Sequence, residues 1–345
     1  MPILNTTSEI AFRSQGFLRG AFLEEGQLAN MIFERFGQSD PQPKNTSKTV
    51  KWRRINNLPV ANAKNAMAEG ITPAGTRFTY EDVEGVQEQI GDWLPLTDVL
   101  LDVHEDNKSK RLANHLMKLC GRQAAEVKEE RRADVLKAGS NVHYAGGVVT
   151  TRATVAAAVT RNDFRAVERF LMRQRAMKIT SIIKATALYG TSAIEPAFIA
   201  VAHPDLADTF RDTDGFVVWK DYADSGKRLP GEIGSIEGFR ICLTDVVKPW
   251  LAAGSSGGTS FLSNGVRAGA SDAYDVYPII CLAENAYGIV PLQGLDNVDI
   301  LVRNPKAENG DELAQKGSIG WKSWDLTVRL NESFMSRIEC CAKAL

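Results

Sequence analysis

The stretch from about Asn107 to Ala138 constrains this chain more than any other. No proline interrupts it and Gly121 is its only glycine, so helix propensity is high almost throughout. Ala113, Leu116, Cys120, Ala124, Val127, Val135 and Ala138 recur at spacings of three, four or eight. They leave a thin apolar stripe with Arg131 in it and charge nearly everywhere else. At ~1.5 Å per residue the helix runs about 45–50 Å, longer than a globular domain of this size requires. Its contact face is built of small residues, so it cannot be the buried centre of a core. The pattern predicts a beam lying across a sheet.

A chain of 345 residues can bury one large core or two ordinary ones. Formal net charge is -1 and the pI about 6.5, which excludes a global basic field drawing the chain to nucleic acid or an anionic membrane. The opening MPILNTTSEIAFRSQG has no basic region followed by an apolar one, and no run reaches the ~18 apolar residues needed to cross a bilayer. Neither secretion nor membrane insertion is expected. Cys120, Cys242, Cys281, Cys340 and Cys341 form no C-x-x-C pair and are odd in number, so reduced thiols are expected.

Residues 1–46 carry apolar anchors (Phe17, Phe22, Leu23, Met31, Ile32, Phe33, Phe36) but no core of their own. A short amphipathic helix over Ala21–Phe36 is expected, broken at Gly37 and followed by extended Asp40-Pro41-Gln42-Pro43. In SKTVKWRRI, Val50 and Trp52 alternate with Lys51 and Arg53, a strand pattern that resumes over Thr76–Leu96. Between them lies a polar, glycine- and proline-punctuated tip. The two runs predict a long two-stranded ribbon, which is marginal in water unless something covers it. With no large core candidate nearby in sequence, another subunit is the expected cover.

Further on, a helix is expected over Asn162–Met177 with Phe164, Val167, Phe170 and Leu171 inward and Thr160 or Asn162 as its cap. Strands are expected at Glu195–Ala202, Phe239–Leu243 and Tyr277–Leu282, a short helix at His203–Phe210, and a Gly/Ser-rich loop at Gly254–Ala270. Strict alternation from Trp324 to Leu330 predicts a half-buried strand, and Phe334 with Ile338 a further one.

No catalytic constellation stands out. No phosphate-binding loop, nucleophile elbow or H-E-x-x-H occurs, and the four histidines stand near no cysteine at metal-ligand spacing. His203-Pro204-Asp205 matches the loop of J-domain co-chaperones, but here it follows a strand, where Pro204 suits the first turn of the next helix. Arg161, Arg165, Arg169 and Arg173 fall four apart and form a stripe on their helix. They suit either phosphate contact or a solvated face that pairs with acids of a neighbour. Lys51-Trp52-Arg53-Arg54 carries the same two readings. No cofactor or metal is expected, and the chain does not read as an enzyme.

Seven short motifs occur in one order: F-E-R-F-G-Q at Phe33–Gln38, T-V-K-W-R-R at Thr49–Arg54, E-G-I-T-P at Glu69–Pro73, H-P-D at His203–Asp205, G-E-I-G-x-I-x-G-F-R at Gly231–Arg240, A-Y-G at Ala286–Gly288 and G-S-I-G-W-K at Gly317–Lys322. Together they resemble the major capsid proteins of tailed double-stranded DNA phages related to coliphage N-four, over about residues 15 to 340. The resemblance implies an α+β fold, the Hong Kong 97-like capsid fold. Its parts would be an N-terminal arm (1–46), an E-loop (47–97), a peripheral domain with a spine helix (98–179, spine 107–138), an axial domain (180–315) and return strands of the peripheral domain (316–345).

The resemblance further implies a head shell of hexamers and pentamers that encloses double-stranded DNA, assembled in the bacterial host cytoplasm and ending in the virion. Expected partners are copies of the chain, a separate scaffolding protein, a portal protein, a decoration or cement protein and packaged DNA held by non-specific contact. Lys51, Trp52, Arg53, Arg54, Phe78, Tyr80, Arg161, Arg165, Arg169 and Arg173 are the expected inter-subunit contacts. Lys64, Asn62 and Asn65 sit at the ribbon tip, yet no motif identifies a crosslinking pair, so no covalent crosslink is expected. The alternatives are an encapsulin-like compartment of the same fold and a soluble enzyme with an uncatalogued site.

Overall fold

The computed structural model describes residues 32–56, 58, 60, 70, 75–103, 111–180, 195–222, 228–256, 273–292, 298–307 and 311–343. Helix α1 (Ile32–Phe36) opens the described chain, followed by strands β1 (Gln38–Ser39), β2 (Thr49–Ile55), β3 (Tyr80–Val86) and β4 (Glu88–Thr97). Helix α2 (Asp98–Val103), the spine α3 (Arg111–Lys137), β5 (Val142–Tyr144) and α4 (Arg161–Arg173) come next. Then come β6 (Phe198–Ala202), α5 (Ala207–Arg211), β7 (Val217–Val218), β8 (Glu232–Ile236), β9 (Phe239–Leu243) and β10 (Tyr277–Leu282). The chain ends through β11 (Tyr287–Ile289), β12 (Asp299–Arg303), β13 (Lys316–Asp325), β14 (Thr327–Arg329) and β15 (Met335–Cys340).

These strands make a mixed seven-stranded sheet in the order β5-β15-β10-β6-β9-β8-β7, two three-stranded sheets (β12-β13-β4 and β1-β11-β14), and the β2-β3 ribbon. One face of the large sheet buries Phe198, Phe239, Tyr277 and Ile338 under Phe164, Val167 and Leu171 of α4. Thr160 starts α4 by donating both its backbone N–H (2.8 Å) and its hydroxyl (2.7 Å) to Asp163. The other face, with Ile199, Val201, Cys242, Ile280 and Leu282, is covered by Ala133 and Leu136 of the spine and by Ile32 and Phe33 of α1. All five cysteines are buried and free.

The spine touches a second sheet with its other end. Cys120 and Ala124 pack with Ile319 and Trp321 of β13 and with Leu96 and Leu100. At about 100° per residue, Ala124 lies about 40° around the helix from Cys120, whereas Ala133 and Leu136 lie roughly 160–220° around. The buried face therefore turns about half a revolution along its 27 residues, and the helix bridges two sheets rather than lying on one. This revises the single expected stripe. Arg131 is exposed and pairs with Glu88, Ala138 lies past the helix end, and the buried positions of the second half include Lys128, Glu129 and Arg132. Asn107–Lys110 lie outside the described residues, as do 21–31 of the expected first helix.

Three further expectations change. The Thr76–Leu96 run is two strands, because Gln87 turns the chain: it is buried, and its side-chain amide donates to the Val290 carbonyl at 3.0 Å. Only Tyr80–Val86 stays in the ribbon, while β4 leaves to pair with β13 along its whole length. Trp324–Leu330 is also not one strand. Asp325 ends β13 turned inward toward Arg132, and β14 begins in a different sheet. Finally, sheet membership does not follow the expected domain limits: β15 is an inner strand of the seven-stranded sheet, and β12 belongs beside β13. Most of the Gly254–Ala270 loop lies outside the described residues.

Ala124 is fully buried where the spine meets β13. Replacing it by Trp inserts a ring where no room exists and should cost about 1–3 kcal/mol or more. A lowered unfolding midpoint by circular dichroism is the expected outcome, and an unchanged midpoint would place the spine on another face.

Candidate inter-subunit surface

The ribbon is built on opposed charges. Register sets Lys51 against Glu84, Arg53 against Asp82 and Arg54 against Glu81, and all three pairs close within the ribbon. Arg53 is bidentate at 2.8 and 2.9 Å and holds the Asp82 carboxyl below its usual range. Being exposed, such pairs set register more than stability. The basic cluster is thus already neutralised by its own hairpin partner strand, which removes the simplest electrostatic case for Lys51, Arg53 and Arg54 as phosphate contacts.

Trp52 points the other way. Its ring lies against Gly288, where a Cβ would stand 2.9 Å from Cζ2, so glycine is what lets the indole seat. Gly85 likewise faces Val328 and Leu326 with no room for a side chain. The chain therefore covers the ribbon's base itself, with Trp52 serving that seat.

The far end has no such cover among the described residues. Phe78 is 61% exposed and Tyr80 50%, stacked edge to face at 5.3 Å, with Ile55 exposed opposite Tyr80 in the register; Leu58 and Val60 are exposed as well. A second apolar surface lies across the β12-β13-β4 sheet, a groove of about 510 Å³ lined by Trp93, Leu301, Val302 and Trp321. Sequence reasoning alone misses Ile300, Leu301 and Val302, whose pattern of one apolar residue after another on an edge strand is the signal that could have found them.

On α4 the stripe divides. Arg161 and Arg165 both reach Glu237, Arg165 at 3.1 Å, and these guanidiniums hold the Glu237 carboxyl low against the opposing effect of its burial. Arg169 and Arg173 are exposed and meet no carboxylate among the described residues. His203 caps the turn after β6 by accepting from Asp205 N at 3.2 Å, and Asp205 accepts from Tyr277, a structural use of the H-P-D sequence.

Under the spine lies a buried charge cluster that sequence spacing does not reveal. Arg132, 3% exposed in its side chain, stands 3.5 Å from Glu129, 3.6 Å from Asp325 and 3.6 Å from Glu34 of α1. Glu129 accepts the Phe33 N–H at 2.6 Å, and the Tyr287 hydroxyl donates to the Phe33 carbonyl. Burial pushes the carboxyls of Glu129 and Asp325 up despite Arg132 beside both. This cluster fastens the segment before the ribbon to the spine and the spine to β13. Among the described residues no group of His, Cys, Asp and Glu is arranged to hold a metal ion.

A helix bridging two sheets, a ribbon standing away from both and an N-terminal segment locked beneath the helix together make the Hong Kong 97-like capsid fold. The capsid of Ralstonia phage GP4 shares it, with a TM-score of 0.65 at 12% identity over 96% of each chain. The holo-SrpI encapsulin complex from Synechococcus elongatus PCC 7942 is also similar, with a TM-score of 0.52 at 10% identity over 98% of this chain and 96% of that one. The family described as phage capsid protein matches residues 80–331, and the chain belongs to that family. The major capsid protein of Pseudomonas phage KPP21 is 25% identical over 252 residues, which are 70% of this chain and 62% of that protein. The match thus spans less than two thirds of that relative's length.

Because Glu129 binds its proton more tightly folded than unfolded, the folded state holds more protons above the ordinary glutamate value, and stability falls as pH rises through the raised one. Glu129→Gln should remove that slope, each tenfold change in proton affinity being worth about 1.4 kcal/mol. Denaturant unfolding of both proteins across this range checks it: wild type should lose ground to the variant with rising pH, and parallel curves would contradict it.

Proposed function

We propose that this chain is a major capsid protein. It self-assembles as hexamers and pentamers into an icosahedral head shell that encloses and protects packaged double-stranded DNA. The observation that carries the reading is the ribbon, which closes its charges upon itself, seats its base on its own chain and leaves Phe78 and Tyr80 at its far end exposed among the described residues. An isolated two-stranded ribbon gains little in water, and a contiguous exposed apolar surface marks an interaction site. A second copy supplies the cover in a ring of identical, heterologous contacts.

In this reading β2-β3 is the E-loop and the segment through α1 is the end of the N-terminal arm. The β12-β13-β4 sheet with the first half of α3 is the peripheral part, and the seven-stranded sheet with α4 is the axial part. Phe78 and Tyr80 belong to the contact with the neighbouring subunit, while Lys51, Arg53 and Arg54 hold the ribbon's register beside it. A scaffolding protein, a portal protein, a decoration protein and the packaged DNA are the other partners. Assembly takes place in the bacterial cytoplasm and the product resides in the virion.

Negative-stain microscopy of the purified chain tests this, with closed shells or capsomers expected and a monodisperse monomer contradicting it. Nucleic acid inside native particles supports a phage head, whereas a protein cargo without nucleic acid would assign the encapsulin alternative. Phe78→Ser with Tyr80→Ser should leave monomer stability within about 0.5 kcal/mol, since both side chains are exposed. Particle yield in sedimentation should fall at least tenfold, and a normal yield would remove the ribbon tip from the interface. A denaturing gel of mature particles should show one band near 37.8 kDa, and a ladder would reveal crosslinking.

A further inference from the structure

We infer that the C-terminal half of α4, with Arg169, Arg173 and Arg175, is the face that binds the phosphate backbone of double-stranded nucleic acid. The inference rests on the proposed shell function and names residues that would meet the enclosed genome.

The Arg stripe begins as a structural device and ends as something else. Glu237 takes Arg161 and Arg165, so the first half of the stripe is satisfied within the chain. Glu168, the nearest carboxylate to the second half in sequence, is taken by Lys178 at 3.2 Å. Arg169, Arg173 and Arg175 are exposed and pair with no carboxylate among the described residues. The sequence supplies none locally either: from Arg169 to Ile194 it holds Arg169, Arg173, Arg175, Lys178 and Lys184, and the next acid is Glu195. Arg173 in the last turn answers the helix C-terminus, but the like charge of Arg169 four residues before it weakens the helix, so folding gives no reason for the pair.

Geometry aims the group outward. At about 100° per residue, Arg169 and Arg173 lie roughly 140–180° around α4 from the mean direction of Val167 and Leu171, the residues that seat the helix on the large sheet. Arg175 comes just after, its backbone in the left-handed region at φ 58°, which turns the chain beyond the helix end. Met172 is exposed between Arg169 and Arg173 in sequence. Guanidinium forks match phosphate oxygens bidentately. A chain of net charge -1 cannot bind nucleic acid through its overall field, so a local cluster must carry any such contact.

Neutralising about three phosphates makes the logarithm of affinity fall with the logarithm of salt at a slope near −0.9 per contact. The test is fluorescence anisotropy of a short random-sequence duplex with the purified full chain over a salt series. The Arg169→Gln, Arg173→Gln, Arg175→Gln variant is compared with a charge-matched Lys306→Gln, Lys316→Gln, Lys322→Gln control. The arginine variant should lose about 2–3 from the salt slope and at least tenfold in low-salt affinity, while the lysine control keeps both. An undiminished slope in the arginine variant would overturn the inference, as would equal losses in the two variants. Normal duplex binding by an arginine variant that no longer assembles would make the face a protein contact and also overturn it. Failure of the wild-type chain to form shells would count against the proposed function alone, because the duplex measurement does not require assembly.

Discussion

One helix seated in two places holds this molecule together. The first half of the spine lies on β13 and β4 through Cys120 and Ala124, and the second half lies on the large sheet through Ala133 and Leu136. The two seats are on nearly opposite sides of the helix. A rigid rod held that way fixes two sheets relative to each other. Its length reflects the distance between the seats, and its small contact residues reflect the close approach of a helix to a sheet at each one.

Between the seats the spine buries charge instead of apolar groups. Glu129 and Arg132 lie where α1, the spine and the end of β13 converge, and one arginine answers carboxylates from three elements. Burying such a cluster stabilises little net of desolvation, but breaking it by removing one member is costly. Its use is to specify position. The segment before the ribbon, the spine and the strand crossover are locked in one arrangement, and the ribbon leaves that locked base with Trp52 over Gly288. A projecting element needs a rigid root if it is to reach a neighbour in a repeatable direction, and this root is polar and specific.

Much of this is legible in the residues, and the exceptions have physical causes. The spine, α4 with its Thr160 cap, the buried strand after it and the ribbon's first strand all arise from local periodicity and capping, which act over a few residues. Periodicity fails where the environment changes along an element. The spine's stripe looks continuous in sequence, yet a helix with two seats has two stripes, and the second is partly charged. The run from Trp324 to Leu330 looks like one strand because alternation persists although the chain changes sheets at Leu326. Ion pairing is illegible for a different reason: whether Lys51, Arg53 and Arg54 face a neighbour or their own partner strand depends on register, which only the paired strands reveal. The identity of the family, by contrast, rests on seven spaced motifs and needs no geometry.

The spine-and-sheet body is seated within one chain, and in the proposed shell another copy covers the far end of the ribbon. Amide hydrogen exchange, compared between unassembled subunits and assembled particles, tests it most directly. The expected result is strong and unchanged protection for Ala124–Leu136 in both states, with the ribbon strands exchanging fast in free subunits and slowly in particles. Equal protection of the ribbon in the two states would contradict it.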